Sequence, residues 1–212
     1  MKFRFFLKIL MKLNVISSLY YSAKFRFPFF IARGSVVSIK KGAKITLQGK
    51  GSLFLGFNTI NNQGAILQLE KKSEFRINGT VNVFPGAKIV VMENAYLIIG
   101  EGTFLNEGVR VQCRKKICIG KNCAFSWGVL IIDSDFHGVY INKQTINHDI
   151  AVKIGDKVWI GAKSTIQKGV TIENNVIIGS HSLVLKGYYQ SDTLYAGSPA
   201  KYISLHEGWG KI

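Results

Sequence analysis

Three side chains capable of proton chemistry lie within five residues of one another, in the segment Asp133-Ser134-Asp135-Phe136-His137. A neutral imidazole, with an ordinary pKa of about 6.5, can take up a proton near neutral pH, and a carboxylate can orient it or bind hydroxyl groups. Alternate residues of an extended strand point the same way, so we expect Asp133, Asp135 and His137 to share one surface. The alternatives are an exposed loop histidine without a role and aspartates that only form turns.

This segment interrupts a six-residue repeat, which is the strongest pattern in the chain. From residue 154 the sequence reads IGDKVW, IGAKST, IQKGVT, IENNVI and IGSHSL, with isoleucine first in each unit and a small or aliphatic residue fifth. Strand side chains alternate with period two, so both positions face inward if each unit forms a short strand and a corner. We expect Gly155, Gly161, Asn174 and Gly179 to supply the left-handed backbone of the corners.

The repeat predicts the fold class and the domain organisation. Weaker copies extend upstream to about residue 35, and the abundance of Val and Ile favours strands over amphipathic helices. Stacked units bury one continuous aliphatic column, as in other solenoid proteins. We therefore predict an all-β protein: a parallel β-helix at residues 35–187 with a loop at 137–153, preceded by a basic, aromatic extension at 1–34 and followed by a tail at 188–212.

The positive charge is concentrated at the N-terminal end. The chain has a formal net charge of +16, and the first acidic residue is Glu70. Residues 1–19 have apolar side chains near helical spacing, which predicts an interfacial amphipathic helix, and we expect residues 1–33 to associate with an anionic membrane. The alternative is a helix that packs on its own domain or on a neighbouring subunit. No nucleic-acid-binding motif accompanies the charge, so nucleic acid is not an expected partner.

The cysteine spacing predicts neither a metal site nor a disulfide framework. Cys113, Cys118 and Cys123 are five residues apart, which does not match a CxxC motif. We expect them to be small buried side chains in a reducing compartment. The predicted location is cytoplasmic, with peripheral association at the inner face of a membrane left open.

With the hexads in view, the chain resembles the left-handed β-helix, or hexapeptide-repeat, acyltransferases. Within them it is most similar to the maltose, galactoside, Nod-factor and polysaccharide O-acetyltransferases. The resemblance covers roughly residues 98–204 and is most specific in IGDKVWIG at 154–161 and AGSPAK at 196–201. It implies a left-handed coil of hexapeptide repeats after an N-terminal helical or irregular extension. It also implies a homotrimer with active sites in the grooves between subunits, acetyl-CoA as acyl donor, and no metal.

The same resemblance assigns roles to individual residues. It makes His137 the catalytic base and places Asn106 against the acceptor, where a plain corner residue is the alternative. From their place beside His137, Asp133 and Asp135 are expected to bind the acceptor with Asn106 or to orient the imidazole. Small residues would offer backbone groups to the pantetheine arm and lysines would meet the nucleotide phosphates. The residues to which the resemblance assigns CoA binding are Ala162, Ser180, Leu185, Lys186 and Lys201. Trp159 is expected to line the same CoA groove, and packing beside a corner is the alternative.

The function that the resemblance implies is direct acetyl transfer from acetyl-CoA to a hydroxyl of a sugar or surface-glycan intermediate, with a histidine general base. Three alternatives remain open. One is N-acetylation of a nucleotide-linked amino sugar, and another is a non-catalytic β-helix scaffold. The third is a γ-class carbonic anhydrase, whose three-histidine metal site would have to use His137, His148 and His181.

Overall fold

The computed structural model describes residues 11–57 and 63–210. Within these residues the chain winds around three parallel sheets, and each turn, here called a coil, adds one short strand to each sheet in succession. The first corner joins the first sheet to the second, the second corner joins the second sheet to the third, and the third corner returns to the first sheet. Strands are numbered along the chain.

Each sheet collects one strand per coil. The first sheet contains, in spatial order, β1 (Phe29–Ile31), β4 (Leu53–Leu55), β7 (Val81–Val83), β10 (Phe104–Leu105), β13 (Ala124–Phe125), β18 (Trp159–Ile160), β21 (Ile177–Ile178), β24 (Thr193–Ala196) and β25 (Lys201–Leu205). The second sheet contains β2 (Val36–Ile39), β5 (Ile66–Leu69), β8 (Lys88–Val91), β11 (Arg110–Cys113), β14 (Leu130–Ile132), β19 (Thr165–Ile166) and β22 (Leu183–Val184). The third sheet contains β3 (Lys44–Gln48), β6 (Glu74–Asn78), β9 (Tyr96–Ile99), β12 (Lys116–Ile119), β17 (Val152–Ile154), β20 (Val170–Ile172) and β23 (Gly187–Tyr189). A separate antiparallel hairpin consists of β15 (Tyr140–Ile141) and β16 (Gln144–Thr145).

The first residue of each hexad fills the interior, as the repeat predicts. Ile154 pairs in register with Ile172, and Ile160 pairs with Ile178, so that identical side chains stack from coil to coil. These four isoleucines are buried, and Phe125 continues the column of Ile160 in the preceding coil. The core is therefore one continuous apolar column, and each added coil extends it.

The recurrence of glycine after isoleucine in the hexads has a different cause from the one predicted. Gly155, Gly161, Asn174 and Gly179 are not among the residues with positive φ; the left-handed corner positions fall instead on residues such as Lys157 (φ 54°) and Asn175 (φ 56°). A β-carbon on Gly161 would lie 2.5 Å from the backbone nitrogen of Ser180 in the next coil. Close approach between coils, and not backbone conformation, therefore requires glycine at these places.

A helix closes the N-terminal end of the coils. Helix α1 (Val15–Phe25) begins after Asn14, whose side chain accepts a hydrogen bond from the Ser17 backbone, and ends at Arg26 in a left-handed conformation. It overlaps the end of the helix predicted at 1–19, of which residues 1–10 lie outside the described part. No helix among the described residues is long and apolar enough to cross a bilayer.

The coils extend further than the predicted range of 35–187. Parallel pairing begins at Phe29 in β1 and continues to β24, where β25 folds back antiparallel and covers the other end of the first sheet. Because β25 is part of that sheet, the segment predicted as a tail is largely ordered on the coils.

The three cysteines are free thiols. Cys113 and Cys123 are buried and Cys118 is half-buried. Burial raises the pKa of Cys123 to about 11 and also raises the pKa of Cys113, so both buried thiols are protonated and unreactive at neutral pH.

Candidate active site

The regular winding is interrupted at the second corner of the fifth coil. The chain leaves the second sheet after β14 and enters the third sheet only at β17, and the hairpin β15–β16 lies in between. A backbone hydrogen bond from Ile150 N to Asp133 O, 3.1 Å long, joins the two ends of this loop. The coil to which both ends of the loop are attached, and the hydrogen bond that joins these ends, hold the loop on the surface, where functional groups usually lie.

Asp133 does not belong to the exposed surface of this loop, which corrects the prediction that it binds the acceptor. Its side chain is completely buried. Oδ1 accepts a hydrogen bond from Arg114 N at 2.7 Å, and Oδ2 accepts hydrogen bonds from Lys115 N at 2.9 Å and Lys116 N at 2.6 Å. A carboxylate occupied by three backbone amides holds the corner of the preceding coil and is not available to a ligand.

Asp135, by contrast, is exposed and ties the loop to the next coil. Its carboxylate forms an ion pair with the ammonium group of Lys168, which lies at the second corner of the sixth coil. It also accepts a hydrogen bond from Asn147 Nδ2 at 2.8 Å. The hydrogen bond from Lys168 lowers the pKa of the Asp135 carboxyl, and the hydrogen bond from Asn147 acts in the same direction. The Asp135 carboxylate is therefore charged throughout the neutral pH range and anchors the loop to the next coil.

His137 lies beyond this anchor, exposed to solvent. Its Nδ1 is 3.4 Å from the backbone oxygen of Asp135, and its own backbone oxygen accepts a hydrogen bond from Asn147 Nδ2 at 2.9 Å. When Nδ1 carries the ring proton, it points at that carbonyl and Nε2 is left with its lone pair facing away. That is the arrangement a general base requires.

Two residues that hold the loop were not predicted from the sequence. Asn147 contacts both arms of the loop, because its Oδ1 also accepts a hydrogen bond from Val139 N at 2.6 Å. Lys168 reaches Asp135 and also donates to the Asn147 backbone oxygen at 3.2 Å. Their contacts with Asp135 span 12 positions for Asn147 and 33 positions for Lys168, so no local pattern marks them.

A second group of predicted residues lies at the first corner. Asn106 follows β10, Ala162 follows β18 and Ser180 follows β21, each at the start of the same corner in its own coil. Ala162 and Ser180 lie in consecutive coils, and the His181 backbone nitrogen donates to Ala162 O at 2.8 Å. Asn106 is half-buried and Ser180 is exposed.

Trp159 lies on the first sheet beside this corner and is 39% exposed. Its Nε1 donates to Ser126 Oγ at 3.0 Å, which fixes the indole over the corner. The Trp209 ring lies 6.1 Å from it, and Trp209 Nε1 donates to the Lys157 backbone oxygen at 2.6 Å. The C-terminal segment therefore contributes a second indole to the surface predicted to contact CoA.

The remaining predicted residues divide between the second corner and the end of the first sheet. Leu185 and Lys186 lie at the second corner of the seventh coil, one coil beyond Lys168, and a β-carbon built on Gly169 would come within 2.9 Å of Lys186 Cγ. Lys201 opens β25 on the first sheet. One chain therefore carries His137, Lys168 and Lys186 on one corner and the group of Asn106, Ala162 and Ser180 on another.

The described residues contain no group of three or more His, Cys, Asp and Glu side chains placed to hold a metal ion. His148 and His181, the two further histidines that a three-histidine site would need, are exposed.

Comparison with known proteins connects this architecture to a family. The model for the bacterial transferase hexapeptide (six repeats) matches residues 151–186. The polysialic acid O-acetyltransferase of Neisseria meningitidis is 40% identical over 98 residues, 45% of this chain and 46% of that protein. The chain spans about half the length of the curated relatives it matches.

Two solved structures match over most of their length. The polysialic acid O-acetyltransferase OatWY is 30% identical, with a TM-score of 0.58 and coverage of 87% of both chains. The polysialic-acid-specific acetyltransferase NeuO is 23% identical, with a TM-score of 0.65 over 84% of this chain and 90% of that one, and shows the fold alone. The predicted fold, a left-handed parallel β-helix with an N-terminal helix, is confirmed. The repeat, the family model and the likeness to OatWY agree that the chain belongs to the bacterial hexapeptide-repeat acyltransferases.

Proposed function

We propose that this chain transfers the acetyl group of acetyl-CoA to a hydroxyl group of a sugar or polysaccharide acceptor, with His137 as general base. Its similarity to proteins named polysialic acid O-acetyltransferase supports the choice of reaction and acceptor class. The observation that carries the proposal is the geometry of His137, an exposed imidazole whose Nδ1 faces the Asp135 carbonyl oxygen at 3.4 Å.

In this mechanism the imidazole accepts one proton and then donates it. Nε2 of His137 takes the proton of the acceptor hydroxyl as its oxygen attacks the thioester carbonyl, and the imidazolium then protonates the departing sulfur. The products are an acetyl ester and free CoA thiol, and the histidine returns to its neutral form. A positioned base of this kind accelerates transfer by about 10²–10⁴. The Asp135 carbonyl stabilises the imidazolium, because it accepts a hydrogen bond from protonated Nδ1.

Acetyl-CoA consists of a thioester, a long pantetheine arm and a nucleotide with charged phosphates. The residues assigned to its binding have properties that suit each of these groups. Ala162 and Ser180 have small side chains, so their corner leaves the backbone open to a pantetheine arm. Lys186 and Lys201 are exposed cations suited to phosphates. Trp159 and its partner Trp209 form an aromatic surface between them.

These residues lie on two corners, which supports a site built from two subunits. We propose a homotrimer in which the second corner of one subunit, with His137, faces the first corner of its neighbour, with Asn106 and Ala162. A heterologous contact of this kind closes into a ring of three equivalent grooves. Asp135 and Asn106 would then approach the acceptor from opposite sides of one groove.

The proposal is tested with purified protein, acetyl-CoA and a panel of sialylated, galactose-containing and amino-sugar glycans. Thiol release and the mass of the product are followed together. We expect a gain of one acetyl group that mild alkali removes, as for an ester. An alkali-stable product formed on an amino sugar would mean N-acetylation, and the absence of transfer to any member of the panel would favour a non-catalytic scaffold.

A further inference from the structure

Helix α1 carries two stripes of side chains, and the inner stripe is fully used by the fold. The inner stripe consists of Ser18, Tyr21, Ser22 and Phe25. Ser18 Oγ accepts a hydrogen bond from Ile31 N, and Ser22 Oγ accepts one from Phe29 N, both at 2.9 Å. These hydroxyl groups pair with the outer edge of β1, the first strand of its sheet. The inner stripe therefore caps the coil and protects an edge that would otherwise be open to further strands.

The outer stripe is apolar although it faces solvent. Ile16 is 83% exposed, Leu19 is 68% exposed and Tyr20 is 58% exposed. Their spacing of three and four residues places them on one face of the helix. The capping role of α1 depends on the opposite face, so nothing in the described fold requires large apolar groups here. An apolar stripe that the fold does not need points to an external partner.

The surroundings of the stripe are positively charged. Residues 11–50, which form α1 and the first coil, contain eight Lys and Arg residues and no Asp or Glu. The ammonium group of Lys24 lies 5.6 Å from the centre of the Tyr20 ring, so one cation stands directly beside the stripe. Lys40 and Lys41 are exposed at the tip of the first coil. A nucleic acid would use these cations but leave the apolar stripe in water, whereas an anionic bilayer surface uses both.

We propose that the outer stripe of α1 (Ile16, Leu19 and Tyr20) docks on an anionic lipid surface, with the cations of α1 and the first coil against the headgroups. The loop that carries His137 belongs to the fifth coil, four coils from the docked one. At about 4.8 Å per coil, His137 would lie about 20 Å from the first coil. That separation keeps the transfer site clear of the headgroups and suits an acceptor glycan that projects from the same surface.

The proposal is tested by co-sedimentation of the full chain with phosphatidylcholine vesicles, with and without phosphatidylglycerol. We expect binding only to the anionic vesicles, and binding that weakens as salt is raised, because salt screens the cations. The triple variant Ile16→Ser, Leu19→Ser, Tyr20→Ser should reduce the partition coefficient at least about tenfold. Lys24→Gln should reduce it about fivefold at low salt.

The matched control is the double variant Ile203→Ser, Leu205→Ser, which removes exposed apolar groups from β25 at the opposite end of the coils. It should bind vesicles like the unmodified chain. Equal binding by the triple variant, or no binding of the full chain to anionic vesicles, would overturn the proposal. So would light scattering without vesicles in which the triple variant loses an assembly larger than a trimer, because the stripe would then be a contact between copies. Acetyl transfer to a soluble acceptor should be the same in the triple variant, which separates this proposal from the proposed catalytic function.

Discussion

The ammonium group of Lys168 and the carboxylate of Asp135 join two successive coils at the second corner, with 2.5 Å between Nζ and Oδ2. This ion pair, together with Asn147, holds the segment from which His137 projects. Lys168 has no role at the reacting atoms in this arrangement. In the proposed mechanism we expect Lys168 to be a positioning residue, which affects the reaction through the loop.

We predict that Lys168→Met lowers the turnover number by about ten- to a hundredfold, because a small displacement of a catalytic group is costly. Lys168→Arg should retain most of the activity, since a guanidinium group can still reach Asp135. Steady-state kinetics on both variants, with KM for acetyl-CoA as a second readout, distinguish positioning from binding. A Met variant with normal turnover, or one that loses only affinity for acetyl-CoA, would contradict the assigned role.

The same ion pair has a defined pH dependence. The folded chain favours the charged form of Asp135, so its pKa lies below the ordinary value. The stabilisation is therefore complete above the ordinary pKa of about 4 and is lost only as the pH falls through the lower folded value. Between pH 5 and 8 we therefore expect the transfer rate of Asp135→Asn, plotted against pH, to run parallel to that of the unmodified protein. A change in the shape of the profile in that range would show that Asp135 itself titrates during the reaction.

Asp133 and Asp135 should differ in their effects on stability. Asp133→Ala leaves three backbone amides without their acceptor, and we predict a loss of about 2–4 kcal/mol in the free energy of unfolding. Asp135→Ala removes an exposed ion pair and should cost less than about 1 kcal/mol. Urea unfolding of both variants measures the difference. Equal stabilities would mean that the buried carboxylate does not hold the 114–116 corner.

The contrast between these two aspartates also shows where prediction from the sequence ends. Strand alternation predicted that Asp133 and Asp135 share a face, and Asp133 does continue the inward row of Ile131. The chain then leaves the strand: Asp135 is exposed, and the next residue, Phe136, takes a left-handed conformation. The amides that satisfy Asp133 lie 17 to 19 residues earlier, at a corner that no local pattern connects to it.

The coils themselves were predictable because their pattern is local. Each hexad places its isoleucine inward through strand geometry alone, so Ile154 and Ile160 were assigned to the core correctly. The requirement for glycine was predicted at the right positions but for the wrong reason, because the close approach of the next coil at Gly161 depends on stacking. The anchor Lys168 depends on stacking in the same way, because it reaches Asp135 from the next coil, and stacking becomes visible only once the coils are assembled.

The lysines assigned to the nucleotide phosphates should affect affinity for CoA. We predict that Lys186→Ala and Lys201→Ala each raise the dissociation constant of CoA about three- to tenfold, with a smaller effect at high salt. Lys71→Ala is the matched control, since Lys71 is exposed at the same second corner five coils earlier. Quenching of Trp159 and Trp209 fluorescence gives the titration. If the Lys71 variant loses as much affinity as the others, the effect is one of net charge and not of a site.

The division of the site between two corners predicts complementation between inactive subunits. Ala162→Trp should block the first corner, and His137→Ala should remove the base on the second. In randomly mixed trimers from equal amounts of the two variants, about a quarter of the grooves combine an intact His137 with an intact Ala162. Co-refolded or co-expressed mixtures should therefore recover about a quarter of the unmodified activity. No recovery above the single variants would place both corners in a site formed by one chain.

The base is tested most directly by comparing two histidines of one loop. His137 and His148 are both exposed, but only His137 has its Nδ1 directed at the carbonyl oxygen of Asp135. Single-turnover transfer from acetyl-CoA to the acceptor identified in the panel should fall at least about a hundredfold in His137→Ala. It should remain within about twofold of the unmodified rate in His148→Ala, with CoA affinity and thermal unfolding unchanged in both. Near-normal transfer by the His137 variant would contradict the proposed mechanism.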